Sequence, residues 1–415
     1  MDFELKPLTE AGRHFVALAE EHAADFATRA DQHDRDGSFP FENIQALQRS
    51  GVMAACVPEE LGGLGVESVH DYVVGINRLG RGDGSTTIGA NMHIFRPWWI
   101  TRAWKAAKAA GDKQQADKSE QLLRRIAARE VVICALLSEP GTDLLHPLVE
   151  ATKAERGWRL NGRKIFGTMS PAAQILDVAC RFRAPQADFR RAMVMVPSDS
   201  PGVEIKNNWD ALGMRGSGSH DVVFKDCFIP DGEIIDTGLW GDWSVRAVAA
   251  NAVLTLGLVG AFLGIAEAAR DLITEMVKSR RKGVAGRTLA ERYSIQHVIA
   301  EIEIDLAACR AMIERTATMQ DIFFQTHPGG SELLDQLHDL MKDFQCTKWF
   351  VNRKAIEIVD RALTVSGGAG YLSKSPLSRL YRDVRAGPFM QPLSPNEAFE
   401  YIGKVTLGLD PRLEA

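Results

Sequence analysis

Apolar residues recur at three- and four-residue spacing through the first 130 positions, as in NIQALQRSGVMAACV and VHDYVVGINRLGR, and that period predicts amphipathic helices. The Gly-rich VPEELGGLGVES breaks them. After Glu130 the texture changes to short β-branched and apolar runs, ICALLS, WRLNGRKIF, ILDVACRF, AMVMV and DVVFKDCFI, separated by Gly, Pro, Asp and Asn. Such runs predict a compact β unit, expected to be a small barrel. Long helical periods return from about Trp240 and end at VSGGAGY and the Pro-rich GPFMQPLSPN. The expected fold is α+β and mostly helical: an N-terminal helical domain over 1–130, a central β-barrel over 131–239 and a C-terminal four-helix bundle over 240–415.

One stretch raises a second possibility. From Ala247 to Ala266 the chain carries no charge, about the length that spans a bilayer. It holds Asn251, is rich in Ala and Gly, and runs into the charged EAARDLITEMVKSRRK. A buried core helix with no membrane partner is therefore expected, its Gly257, Gly260 and Gly264 admitting close neighbours.

Composition narrows the partners. Charged residues make up 25% of the 415 and the net charge is -5, which offers no basic excess for nucleic acid. The six cysteines are scattered without metal-ligand spacing, so reduced thiols and no metal site are expected. The opening MDFELKPLTEAGRHF lacks the apolar run of a secretory leader. A cytoplasmic setting follows as an expectation.

Candidate chemistry begins at LSEPGTD, where Ser138, Thr142 and Asp143 flank a Pro-Gly turn with exposed N–H groups, a geometry that can bind an anion or the polar edge of a ring. Phe166 and Thr168 stand two positions apart, so strand alternation predicts that both point to one side. One could cover a flat heterocycle while the other donates to it, but on local grounds alone a core Phe beside a solvated Thr is the preferred reading.

Taken together, six segments in order resemble the acyl-CoA dehydrogenase family over nearly the whole chain: VPEELGGLG, LSEPGTD, LNGRKIFGT, LGMRGSGSHDVVFKDCFIPD, SRRKGVAGRTLAERYSIQ, and VSGGAGY followed by RLYRDVRAG. The resemblance implies FAD as cofactor, with Leu137 and Ser138 at the flavin ring, Thr142 in the same loop, Phe166 packed on the ring and Thr168 near N5. It assigns Arg280 to the FAD pyrophosphate, Gln296 to the adenosine end, and Gly367 and Gly368 to close approach of the ADP portion. In the family these last come from a neighbouring subunit, so a homo-oligomer, dimer or homotetramer, is implied.

The departures concern the reaction. Removal of a proton α to a thioester needs a carboxylate beside that carbon. Aligned through Arg382-Asp383, the family's Glu position falls on Gln391, and an amide cannot take the proton. The alternative carboxylate position falls near Leu254, and the family arginine that helps bind CoA falls on Thr255. Two expectations follow. In the first, Glu397 or Glu400 supplies the base and the protein oxidises an acyl-CoA or related acyl substrate, passing electrons to an electron-transfer flavoprotein. In the second, the protein is a monooxygenase that takes electrons from a flavin reductase and uses O2, with Gln391, Thr168 and Ser170 as neutral hydrogen-bonding groups; His93 could join them, but a packed histidine lining a helix is the favoured reading there. The first is placed slightly ahead. A non-catalytic assembly partner is a third reading, and the retained LSEPGTD, Thr168 and GGAG elements speak against it.

Overall fold

The structure, a computed structural model, describes residues 3–183, 187–281, 286–327 and 334–412. Among the described residues six α-helices come first: α1 (Glu10–Ala27), α2 (Ala30–Asp36), α3 (Phe41–Ser50), α4 (Val69–Gly82), α5 (Gly84–Ala110) and α6 (Lys113–Ala127). Their starts follow side-chain chemistry: Thr9, Ser68, Asp83 and Asp112 each accept a backbone N–H of the first turn of α1, α4, α5 and α6.

Eight strands follow: β1 (Ile133–Leu136), β2 (Glu150–Ala154), β3 (Gly157–Gly167), β4 (Ile175–Phe182), β5 (Arg190–Pro197), β6 (Val203–Ile205), β7 (His220–Pro230) and β8 (Ile234–Leu239). They form one sheet in the order β6-β7-β3-β2-β4-β5-β8, with β1 pairing in parallel with β4. The sheet holds its own core, built from residues such as Leu136, Leu160, Val178, Val194 and Phe224.

Helices then resume as α7 (Val245–Leu254), α8 (Leu256–Ser279), α9 (Tyr293–Thr326), α10 (Leu334–Ser366), α11 (Gly368–Tyr371), α12 (Pro376–Val384) and α13 (Pro395–Thr406). The long α8, α9 and α10 pack together, with α12 and α13 laid on α10. The helical regions before and after the sheet share one apolar core, which runs from Leu5 to Tyr401. The two helical regions distinguished along the chain are therefore one packed body.

Burial of α8 explains that union. The span Val245–Ser279 is long and apolar enough to cross a membrane, yet 88% of its most apolar stretch is buried inside the protein. Close packing on α4 depends on glycine: a Cβ at Gly260 would lie 2.9 Å from the Val73 carbonyl oxygen, and one at Gly264 2.2 Å from that of Asn77. Glu267 then ties three helices together, accepting from Asn77 at 2.9 Å and pairing with Arg81 at 2.8 Å and Arg310 at 2.7 Å.

Candidate active site

Strand β1 delivers the LSEPGTD loop to the edge of β3, where the Ser138 carbonyl accepts the Ile165 N–H at 3.0 Å. Buried Glu139 locks the loop. One carboxylate oxygen meets Lys164 Nζ at 2.5 Å, and the other accepts the Leu148 and Val149 N–H groups at 2.8 and 2.9 Å. Burial holds the Lys164 ammonium below its ordinary pKa, opposed by Glu139. Thr142 donates to the His146 carbonyl at 2.5 Å, and Asp143 accepts the Leu145 N–H at 2.7 Å. Both therefore fold the loop on itself, and Ser138 is the hydroxyl it presents.

At the end of β3, Phe166 adopts φ +55 and stays 56% exposed, a conformation uncommon for a bulky residue and found where a site over-determines the backbone. Its ring stands edge-on to Trp209, centroids 6.0 Å apart. The ladder to β7 shifts between Lys164 and Gly167, so simple alternation does not place Phe166 and Thr168, contrary to the expectation from spacing. Thr168 Oγ1 lies 2.9 Å from Ser219 Oγ, itself 2.7 Å from Ser217 Oγ. Ser170 is buried and donates to the Gly218 carbonyl at 3.2 Å.

The Arg382-Asp383 pair works as a junction. Asp383 accepts the Met214 N–H at 2.6 Å, and burial raises its pKa to about 6 although Arg379 opposes the shift. Arg382 pairs with Asp34 of α2, so α12 joins the sheet loop to the N-terminal helices. Beyond it, residues 387–393 are held by α10: Asn352 donates to the Gly387 carbonyl at 3.0 Å, and Lys348 donates to the carbonyls of Leu393, at 2.6 Å, and Met390. Desolvation pushes the Lys348 pKa down to about 7. So anchored, Gln391 Nε2 donates to Ser138 Oγ at 2.5 Å, across 253 residues of sequence. Its Oε1 is buried and has no partner among the described residues.

Neither expected substitute base occupies this place. The Glu397 carboxylate accepts the Ser394 N–H at 2.6 Å and closes a capping box at the start of α13, while Glu400 pairs with Lys404 at 2.5 Å. Thr255 is buried with no partner for its hydroxyl among the described residues, which do not include the side chain of Leu254. His93 is fully buried, and its Nδ1 accepts the Ile133 N–H at 2.9 Å. The proton is therefore on Nε2, and burial lowers the ring's pKa to about 4. Such a histidine joins α5 to β1 from inside the protein.

A second group gathers where α8 ends. Arg280 Nη1 donates to the Ser366 carbonyl at 3.2 Å, next to Gly367. Leu289 N–H donates to the Arg280 carbonyl at 2.9 Å, and Gln296 Nε2 donates to the Ala290 carbonyl at 2.9 Å. Gly367 takes φ +66, and a Cβ at Gly367 or Gly368 would meet nothing within 4 Å. This corner borders open space, with Tyr371 83% exposed. Residues 282–285, within the SRRKGVAGRTLAERYSIQ segment, lie outside the described residues.

Sequence reasoning missed Lys348 and Asn352, which carry the Gln391 loop, because cations and amides on an amphipathic helix resemble a solvated face. It also passed over Ser217 and Ser219 within a segment it had singled out. Glu397 had a legible signal in Ser394-Pro395-Asn396-Glu397, the pattern of a capping box with Pro in the first turn.

Comparison with known proteins follows the same order along the chain. Family models described as the N-terminal, middle and C-terminal domains of acyl-CoA dehydrogenase match residues 9–106, 134–227 and 256–391. Amino sugar nitrososynthase DnmZ of Streptomyces peucetius is 33% identical over 97% of this chain and 95% of its own length. L-evernosamine nitrososynthase of a Micromonospora species is 34% identical over 97% and 92%. The structure of KijD3 in complex with FMN and dTDP-3-amino-2,3,6-trideoxy-4-keto-3-methyl-D-glucose superposes with a TM-score of 0.89 at 31% identity, covering 100% of this chain and 98% of that one. Butyryl-CoA dehydrogenase from Megasphaera elsdenii superposes at 0.81 over 98% and 100%, and its 22% identity shows the fold alone.

Proposed function

The chain belongs to the acyl-CoA dehydrogenase family and is a flavin-dependent oxidoreductase, and from that premise we propose that it oxidises the amine nitrogen of a nucleotide-linked amino sugar. The observation that carries this reading is Gln391: a neutral amide stands at the family's base position, hydrogen-bonded to Ser138, while Glu397 and Glu400 are engaged elsewhere. Neither this site nor the nitrososynthase relatives support acyl-CoA oxidation, and the expectation that placed dehydrogenation first is revised accordingly.

A flavin ring fits the residues present. Phe166 offers an exposed face, Thr168 and Ser138 offer hydroxyls, and Gln391 Oε1 is an orphaned acceptor. When bound and reduced, flavin with O2 supplies one oxygen atom to the amine and releases the other as water. A second equivalent of the same chemistry would take the resulting hydroxylamine to the nitroso compound with loss of two waters. The chain's own contribution is to hold the nitrogen uncharged. An amine attacks through its lone pair, and a carboxylate at position 391 would favour ammonium. Gln391 Oε1 accepts an N–H from the neutral amine without that penalty.

We assign FAD rather than FMN, because Arg280, Gln296, Gly367 and Gly368 line a corner that a flavin mononucleotide has no need of. That corner serves a second copy of the chain in a homo-oligomer, and a flavin reductase supplies the electrons in a cytoplasmic setting. The test is aerobic turnover with reductase and reduced nicotinamide. A thymidine-diphosphate amino sugar is expected to gain oxygen by mass spectrometry, and chromatography of the released cofactor is expected to give FAD. Anaerobic bleaching of the bound flavin by an acyl-CoA without reductase would overturn the reading.

A further inference from the structure

Three charged residues from three elements meet beside the candidate site, and the hydrogen bonds described above do not involve them. Arg96 of α5 has Nη2 2.8 Å from Asp177 Oδ2 on β4, yet Nε and Nη2 are both buried without an aligned acceptor. Arg246, in the first turn of α7, acts electrostatically on Asp177 and Arg96. Arg96 pairs with the carboxylate and Arg246 lies within electrostatic range of both, so the cluster carries a net positive charge. Asp177 is buried, and desolvation raises its pKa although both arginines oppose the shift. Arg246 stays in contact with solvent, while the protein around it holds its guanidinium below the ordinary value. Arg246 thus offers a solvent-accessible cation next to the buried Arg96–Asp177 pair.

Two structural links join the cluster to the flavin loop. In the β1–β4 ladder Asp177 pairs with Ala135, and Ser138 follows three residues later, which puts Asp177 about 10 Å from Ser138 at roughly 3.3 Å per residue. The chain entering α7 also packs on the same loop: the Gly241 N–H donates to the Leu145 carbonyl at 2.9 Å, and Trp240 Nε1 to that of Pro147 at 2.9 Å. The separation matches the span of one hexose with its glycosidic phosphate. Guanidinium forks suit phosphate oxygens by bidentate, charge-assisted bonding, and the N-terminus of α7 adds a favourable dipole.

We propose that Arg96 and Arg246 seat the diphosphate of a nucleoside-diphosphate sugar whose amine reaches Gln391 and Ser138. This deepens the amino sugar reading and rests on it. The test is calorimetric titration of the flavin-loaded protein with thymidine diphosphate. Arg246→Ala is expected to weaken binding about ten- to a hundredfold, Arg246→Lys to recover part of the loss, and Lys225→Ala, which changes an exposed cation on β7, to alter nothing. Flavin content stays constant throughout. Arg96→Met should act in the same direction, and if it fails to fold, the exposed Arg246 alone decides. Binding by Arg246→Ala within twofold of wild type, or no binding by the wild type, overturns the seat. Oxidation of a free amino sugar by a protein that ignores diphosphates sinks the seat and keeps the reaction. Diphosphate binding that depends on Arg246, with no amine oxidised, keeps the seat and sinks the reaction.

Discussion

The two halves of the candidate flavin site are built on opposite principles. Around Gln391, all but the Gln391 Oε1 acceptor is fixed by contacts inside one chain: Lys348 and Asn352 hold the loop, Gln391 Nε2 meets Ser138, and Thr168 leads to Ser219 and Ser217. Around Arg280, Gly367 and Gly368, the groups border open space. The reacting end is pre-organised before anything binds, as chemistry that tolerates little misplacement requires. Under the proposed FAD assignment the tail end would supply binding energy, its geometry completed by the ligand and a second subunit.

Four substitutions or titrations sharpen that contrast or break it. Lys348→Met removes the donor to two loop carbonyls, and each buried group left unpaired costs about 1–3 kcal/mol. A loss of roughly 2–6 kcal/mol in urea unfolding is expected. A loss below about 0.5 kcal/mol, the scale of an ordinary surface change, would mean that the loop is not held from α10. Gln391→Glu puts a carboxylate beside the amine, and a neighbouring opposite charge shifts a pKa by about 1–3 units. N-oxidation at neutral pH should fall by about ten- to a thousandfold, with no acyl-CoA-dependent bleaching in return, while cofactor retention is unchanged.

Arg280→Ala tests the other end. Flavin affinity should fall by about 1.5–3 kcal/mol, the worth of a charge-assisted bond, while unfolding of the flavin-free protein stays within about 0.5 kcal/mol of wild type. Equal losses in both measurements would erase the distinction between the two ends.

The remaining effect, absent at neutral pH, belongs to His93. Its pKa is lowered to about 4 in the folded protein, against about 6.5 in an unfolded chain. The unfolded state therefore binds the extra proton first as pH falls, so this histidine's share of stability is present above about pH 6.5 and is lost toward pH 4, by at most about 1.4 kcal/mol per unit. His93→Gln should flatten that slope in pH-dependent urea unfolding. An unchanged slope would assign acid sensitivity to other groups.

Much of the architecture was legible along the chain. Hydrophobic period marked helices, strands and helices again, and six ordered segments carried the family, because period and local motifs are properties of neighbouring residues. The glutamine at the base position was likewise readable, since it lies nine residues from the Arg382 that aligns it. The capping box of Glu397 was present in four consecutive residues and was passed over.

What only the folded protein decided depends on pairs far apart in sequence. Whether Gln391 faces Ser138 is a matter of two loops 253 residues apart, and no local rule ranks that contact above another. The role of Lys348 emerged only when α10 packed against the 387–393 loop, because periodicity assigns a residue to a helix face without saying what covers it. The strand rule for Phe166 and Thr168 failed where the β3–β7 ladder shifts and Phe166 takes a positive φ. Sequence by itself determined the elements, their order and the missing carboxylate. Tertiary packing decided which of the remaining polar groups were consumed in holding the chain together and which were left facing a ligand, because hydrogen-bond partners are allotted only when distant segments compete for the same space.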